Sequence, residues 1–381
     1  MRYYIIAGEA SGDLHGSNLI KAIKAKDNNA VIQCWGGDLM EAAGGKLVKH
    51  YRALAFMGFV EVLMNLRTIL SNIKFCKKDI EAFQPDVLIC IDYPGFNLRI
   101  ADWTKQKGIK VIYFIAPQVW AWKENRVPAM RKSIDRLLCI LPFEKAYFKD
   151  RWNWEVDYVG HPLMEVLANQ KNLAHPIPSI EGQNIIALLP GSRKQEILKK
   201  LPIMLSVVYA FPDYQFAIAQ APGLDDNWFK QLVPSQNNIH IVKDNTYALL
   251  NHSKAALVTS GTATLETALL GVPEIVCYKG NPITLALAKR FIKIKFIALV
   301  NLIMNKEVVK ELIQEELTTA NLVIALKDIL ENSAKQAQIK EDYAALQNAL
   351  YTGQNAAEVA AGIVLEAVSY THLTLPTKRI V

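Results

Sequence analysis

Along the first half of the chain, short apolar runs alternate with helix-length segments in which polar positions recur at intervals of three and four. The runs are Tyr3 to Ala7, Val31 to Trp35, Asp86 to Ile91, Lys110 to Ile115, Leu137 to Leu141 and Val156 to Val159. Such alternation predicts parallel strands joined by crossover helices. The stretch from Asn169 to Gln183, NQKNLAHPIPSIEGQ, is polar and proline-bearing and reads as a linker. The rhythm then restarts with Ile185 to Leu189, Tyr214 to Ala219, Ile239 to Val242, Ala255 to Thr259 and Glu274 to Cys277, which predicts a second doubly wound sheet. From Thr318 to Glu366 the spacing is helical, with Gly353 as the break between two helices.

The expected organisation is therefore α/β: two Rossmann-like domains, 1–168 and 184–340, facing across a cleft, joined by the linker 169–183. Helices over 341–368 are expected to pack back on the first domain. The residues from Ser369, SYTHLTLPTKRIV, do not continue the helical pattern and read as a non-native tail over 369–381. Two such domains suit a reaction between two ligands, one held by each; a duplicated scaffold around one substrate fits the pattern equally.

One helical segment is too apolar for a simple surface helix. In LAFMGFVEVLMNLRTILSN, residues 54–72, Glu61, Asn65, Thr68 and Asn72 form one narrow polar stripe. Either the helix is buried on most sides, or part of its apolar arc, through Phe59, Val62, Leu63 and Leu66, meets a membrane surface. KRFIKIKF, residues 289–296, reads as a basic strand edge or a contact for anionic lipid.

Composition narrows the class. A chain of 381 residues exceeds what one core usually supports. With 51% hydrophobic and 21% charged residues it is globular rather than disordered. Five cysteines without a C-x-x-C pair predict a reducing compartment and no structural metal. A strand-like run directly after Met1-Arg2 leaves no secretion signal, and no run of about 18 apolar residues predicts a spanning helix. The formal charge of +7 falls to +5 without Lys378 and Arg379. It lacks the Lys/Arg blocks of a nucleic-acid binder, so no nucleic-acid partner is expected; an anionic ligand or membrane surface suffices.

The candidate chemistry sits where strands end. GEASGDLHG, residues 8–16, spaces its glycines unlike G-x-G-x-x-G, and its Glu9 and Asp13 would repel a pyrophosphate. LLPGSRKQEI, residues 188–197, places Gly191, Ser192 and Arg193 between a strand and a helix that carries Glu196. This is either an anion site or an ordinary turn with a surface arginine. TSGTATLETALLGVP, residues 259–273, repeats that logic with Ser260, Gly261 and Thr262; Glu266 lies one turn deeper, facing ribose hydroxyls or a solvated first turn.

In CIDYPGFNLRIA, residues 90–101, Asp92 ends an apolar strand. Desolvation there would raise its pKa toward that of a general base, unless it merely bonds its own turn. His15 is a second candidate base, with a structural histidine as the alternative. IAPQVWAWKENRV, residues 115–127, offers Gln118 and Asn125 beside Trp120, Trp122 and Arg126, lining a sugar or acyl site or belonging to the core. No Asp-x-Asp or histidine cluster points to a metal.

Four strings in this order, GEASGDLHG, LPGSR followed by Glu196, SGTATLE, and LVNLIMNKEVVKELIQEE at 299–316, resemble the lipid-A-disaccharide synthase family. The resemblance runs from Met1 to about residue 367. It implies a glycosyltransferase B-type fold and no cofactor. The implied reaction is inverting transfer of 2,3-diacylglucosamine from its UDP ester to 2,3-diacylglucosamine 1-phosphate, giving the β-1,6-linked lipid A disaccharide 1-phosphate and UDP.

The same resemblance implies that the C-terminal domain holds the nucleotide. Arg193 and the Ser260 to Thr262 loop would meet the diphosphate, beside Gly191, Ser192 and Glu196; Glu266 would meet the ribose, and Asn301 the nucleotide as well. The first domain would supply Asp92 as base and an acceptor side of Glu9, Ser11, Asp13, His15, Gln118 and Asn125. The enzyme would be peripheral on the cytoplasmic face of the inner membrane, with a homodimer compatible. Alternatives are another B-type sugar-nucleotide enzyme or a non-catalytic nucleotide-sugar-binding module. The first could be a peptidoglycan-precursor N-acetylglucosaminyltransferase or a UDP-sugar epimerase. The apolar helix at 54–72 speaks against the soluble epimerase.

Overall fold

Apolar runs become central strands here because both of their faces are covered: Tyr3, Tyr4, Ile5, Ile6 and Ala7 are fully enclosed. The computed structural model describes residues 1–53, 66–170, 180, 184–280 and 295–373. The chain divides into two compact units, Met1–Pro162 with the segment from Tyr351 onward, and Leu163–Leu350.

The first unit begins β1 (Arg2–Ala7), α1 (Ala10–Lys26), β2 (Val31–Gly36), α2 (Asp38–Ala42) and β3 (Lys46–His50). It continues with α3 (Leu66–Phe83), β4 (Val87–Ile91), α4 (Pro94–Gln106), β5 (Lys110–Phe114), α5 (Val127–Ser133), β6 (Arg136–Cys139), α6 (Pro142–Trp152) and β7 (Asp157–Tyr158). Its strands run parallel in the order β3-β2-β1-β4-β5-β6-β7. The order reverses between β1 and β4, and the loops leaving those two strands stand at the usual ligand position in an open parallel sheet.

The second unit runs α7 (Leu163–Gln170), β8 (Ile185–Leu189), α8 (Lys194–Leu205), β9 (Gln215–Gln220), α9 (Asp226–Gln231), β10 (Ile239–Lys243), α10 (Thr246–Asn251) and β11 (Ser253–Thr259). It then adds α11 (Thr262–Leu269), β12 (Glu274–Tyr278), α12 (Leu299–Met304), β13 (Lys310–Ile313), α13 (Thr319–Glu331) and α14 (Ser333–Leu350). This sheet is also parallel, in the order β10-β9-β8-β11-β12-β13, with its switch point between β8 and β11. A last helix, α15 (Ala356–Leu373), returns to the first unit.

Several particulars differ from the sequence pattern. β3 and β13 are additional strands, both at sheet edges, where half-exposed KLVKH and KELI carry charges instead of an apolar run. The helical stretch from Thr318 breaks at Asn332 as well as around Gly353, giving three helices. α15 continues through Ser369 to Leu373, so those residues extend the helix. The unit boundary falls at Pro162, because α7 packs Leu163 and Leu167 into the second core.

α14 also stays with the second unit, where Tyr343 donates to the Val272 carbonyl at 3.2 Å. α15 packs on α1: Ala360, Ala361, Val364 and Val368 join Leu19, Ile20 and Ile23 in one apolar cluster. Burial of each valine there contributes about 1.5–3 kcal/mol.

All five cysteines are free and buried. Among the described residues no helix is long and apolar enough to cross a membrane. Phe59, Val62 and Leu63, like residues 289–294, lie outside the described residues, and Leu66 opens α3. Further along α3, Asn72 is buried and accepts from Lys49 Nζ at 2.5 Å, while Leu70 and Phe75 are exposed.

Candidate active site

In the second unit a pocket of about 400 Å³ opens at the C-terminal ends of β8, β9 and β11, on the switch point. Its lining includes Gly191, Ser192, Glu196, Ser260, Gly261, Thr262 and Glu266, so the two predicted loops meet. Gly191 has φ +112, and a Cβ on it would stand 2.7 Å from Glu196 Oε2, so only glycine lets Glu196 fold over the loop. Arg193 precedes α8 with its side chain exposed and its Nη1 3.7 Å from Glu196 Oε1. The N-termini of α8 and α11 both begin in the loops that line this pocket, where backbone N–H groups could receive an anion.

Two residues of the pocket region escaped the sequence reading. Thr259 ends β11, and its buried Oγ1 has no hydrogen-bond partner among the described residues, leaving a hydroxyl for a ligand. Tyr247, on α10, stands beside the Glu266 carboxylate. Burial pushes Glu266 up and Tyr247 opposes that shift, and the carboxyl stands at the pocket wall. Tyr247 is far from Glu266 in sequence and carries no local motif. Ser260 Oγ is engaged with the Ile297 carbonyl at 3.2 Å and keeps only its acceptor capacity for a ligand.

In the first unit, Asp92 follows β4 at the switch point in a left-handed conformation, φ +43, and Tyr93 shares it at φ +51. A non-glycine residue held this way costs about 1–2 kcal/mol and persists only when its surroundings fix it. They do so here. Asp92 N–H donates to Phe114 O at 3.1 Å, and its carbonyl accepts from Tyr113 Oη at 2.6 Å and Asn97 Nδ2 at 2.7 Å. Burial raises the Asp92 carboxyl above its ordinary value, opposed by the Tyr93 N–H.

Tyr93 packs its ring on Gly8, so the loop bearing Glu9 adjoins the loop bearing Asp92. Burial also raises Tyr93, with the Glu9 charge as a second cause. Ser11 is exposed at the start of α1, and Gln118 and Asn125 are exposed in the segment after β5. Trp120 is pinned through its Nε1 to Glu144 Oε1 at 3.0 Å, whereas Trp122 is exposed under Lys123.

Three residues are placed differently from the expectation. Asp13 is buried, and its carboxylate accepts from the N–H groups of Gly37, Leu39 and Met40 at 2.7, 3.2 and 3.1 Å; it anchors the start of α2 and is not available to a sugar. Asn301 is wholly buried and ties α12 to β13: its Nδ2 reaches Val309 O and Glu311, and its Oδ1 accepts from Val308 and Val309 N–H. It shapes the fold beside the pocket and does not line it. His15 is pushed down to about 4 by burial, and His161 to about 3 by burial and then by His15. An imidazole so hard to protonate is poorly suited to take a proton.

Two parallel α/β units, one with a pocket at its switch point and one with a strained aspartate at its own, have the architecture of the glycosyltransferase B-type fold. Solved structures agree at the level of fold. The UDP-GlcNAc 2-epimerase from Neisseria meningitidis aligns with a TM-score of 0.67 over 96% of this chain and 100% of that one, at 14% identity. The glycotransferase of kitacinnamycin gives 0.66 over 96% and 99%, at 13% identity. The sequence profile described as Lipid-A-disaccharide synthetase matches residues 3–364. The lipid-A-disaccharide synthase of Syntrophus aciditrophicus is 35% identical over 373 residues, 96% of this chain and 97% of that protein. The chain belongs to the lipid-A-disaccharide synthetase family, and its activity is the glycosyl transfer that forms the lipid A disaccharide.

Proposed function

We propose that this chain transfers 2,3-diacylglucosamine from its UDP ester to the 6-hydroxyl of 2,3-diacylglucosamine 1-phosphate with inversion, and that Asp92 is the base. The observation that carries this reading is the clamped, left-handed Asp92 at the end of β4, whose carboxyl burial makes more basic. The acceptor oxygen bonds to the anomeric carbon as the bond to the diphosphate breaks, and the acceptor proton passes to Asp92 and then to water. UDP leaves as an anion, so no acid has to protonate it.

The charge that develops on the diphosphate meets the helix N-termini at 191–194 and 260–262, with Arg193 at the rim; preorganised donors of this kind usually supply the largest share of catalysis. Glu266, with Tyr247 beside it, accepts from the ribose hydroxyls. Acylated substrates reside in a bilayer, and the apolar arc at Phe59, Val62, Leu63 and Leu66 is proposed to seat the enzyme on the cytoplasmic face of the inner membrane. Replacing Phe59, Leu63 and Leu66 by serine should release the folded protein from floating liposomes; unchanged flotation rejects that contact.

The test of the reaction is UDP release with both lipid substrates supplied. Asp92→Asn should lower turnover by about 10²–10⁴-fold while UDP binding is kept. Normal turnover in that variant removes Asp92 as the base.

A further inference from the structure

The second unit holds another cavity, of about 500 Å³, lined by Glu274 and Lys310, the first residues of β12 and β13. Because the sheet is parallel, it lies at the opposite end of the strands from the pocket of Thr259 and Glu266. Its walls are apolar, built by Val309, Leu312, Ile324, Ile329 and Ile339.

The innermost polar group is Glu274. It is 1% exposed, and neither carboxyl oxygen has a hydrogen-bond partner among the described residues. A buried, unpartnered carboxyl is costly, and a fold that only needed to fill this space would be better served by an apolar residue. Burial pushes the group well above the carboxylate range, which favours its protonated form until a cation stands beside it. Around the mouth stand exposed Glu307, Glu316 and Asp328, with Lys310 and Lys335. Lys310 is 3.2 Å from Glu307 and cancels it, so the remaining acids outnumber the remaining base.

We propose that this cavity binds a small organic cation, an ammonium or guanidinium group on an apolar stem, with Glu274 as its counter-ion. The stem lies against the isoleucine and leucine walls while the cationic head reaches Glu274. On binding, the Glu274 O–H bond breaks, the proton goes to solvent, and the carboxylate pairs with the cation. One cation is taken up and one proton is released.

The test uses the full chain and n-hexylammonium as the probe, titrated calorimetrically in two buffers of different ionisation enthalpy. Saturable binding with release of a proton is expected, and neither hexanol nor hexanoate should compete. Glu274→Gln, which preserves size, should weaken binding at least tenfold and abolish the proton release. Ile324→Lys, a change at an exposed rim position, should also weaken it and serves if the buried variant fails to fold. Absence of saturable binding, equal affinity in both variants, or equally tight binding of hexanol overturns the proposal.

Discussion

The ring of Tyr93 fills the space that a side chain at Gly8 would need: a Cβ there would stand 2.3 Å from Tyr93 Cγ and Cδ1. This contact couples the loop after β1 to the loop after β4, and so sets where Asp92 stands relative to α1. Gly8→Ala is expected to displace Tyr93, to cost about 1–3 kcal/mol of stability and to lower kcat about tenfold or more. Gly95→Ala, where nothing lies within 4 Å of an added Cβ, is the control and should leave both unchanged. Thermal unfolding and UDP release measure the two effects.

Asp92 must be ionised to accept a proton, and burial shifts its ionisation upward. The acid limb of the kcat/KM profile should therefore lie above the ordinary carboxylate range, with activity rising as pH rises through it. Glu266→Gln should keep that limb, which separates Asp92 from the other raised carboxyl near a pocket. A limb at the position of an ordinary, solvated aspartate contradicts the assignment.

Tyr247 acts on a ligand only through Glu266. Tyr247→Phe removes the hydroxyl beside the Glu266 carboxylate and is expected to weaken UDP binding by up to about tenfold, the scale of one polar contact to a charged group. Turnover at saturating donor should change little. Calorimetric titration with UDP checks the first outcome and steady-state kinetics the second; a fall in kcat with unaltered affinity would contradict the proposed route through ribose binding.

His15 is neutral in the fold because burial lowers it from 6.5 to about 4. Between those pH values the unfolded chain binds a proton that the folded chain refuses, so stability present above about pH 6.5 is lost as pH falls and levels off below about 4. His15→Asn should lose less stability across this window than the wild type, by on the order of 3 kcal/mol. Glu144, pushed up to about 7 by burial, contributes with the opposite sign, but it is common to both proteins and cancels in the comparison. Urea unfolding at pH 7 and pH 4 gives the difference, and a pH-independent gap would show that His15 is not held neutral.

The central strands were legible because Tyr3–Ala7 and Ile185–Leu189 are buried on both faces and so read as unbroken apolar runs. The edge strands β3 and β13 were not, because one open side tolerates Lys46, Lys49 and Lys310, and because buried Glu311 is satisfied by the distant N–H groups of Ile297, Ala298 and Asn301. Loops at strand ends were legible for the same reason as the strands they follow, which is why the Gly191 and Gly261 loops were expected at one site and are found there. Long-range partners were not legible. Asp13 looks like a free carboxylate in a glycine-rich loop until the distant turn at Gly37 brings three N–H groups to it. Asn301 looks like a ligand contact until Val308, Val309 and Glu311, in and just before β13, consume every hydrogen bond its amide offers.

The return of α15 to the first unit reverses the order in which the two units can be completed during synthesis. The second unit is one continuous segment, Leu163–Leu350, and has all its parts as soon as α14 leaves the ribosome. The first must wait for the final helix, because the cluster that holds Leu19, Ile20 and Ile23 of α1 is incomplete until Ala360, Val364 and Val368 arrive. Most multidomain chains fold from the amino terminus as they emerge. Here the amino-terminal unit is the last to close, and a nascent chain halted at Leu350 would expose a greasy helix face, the kind of surface chaperones hold.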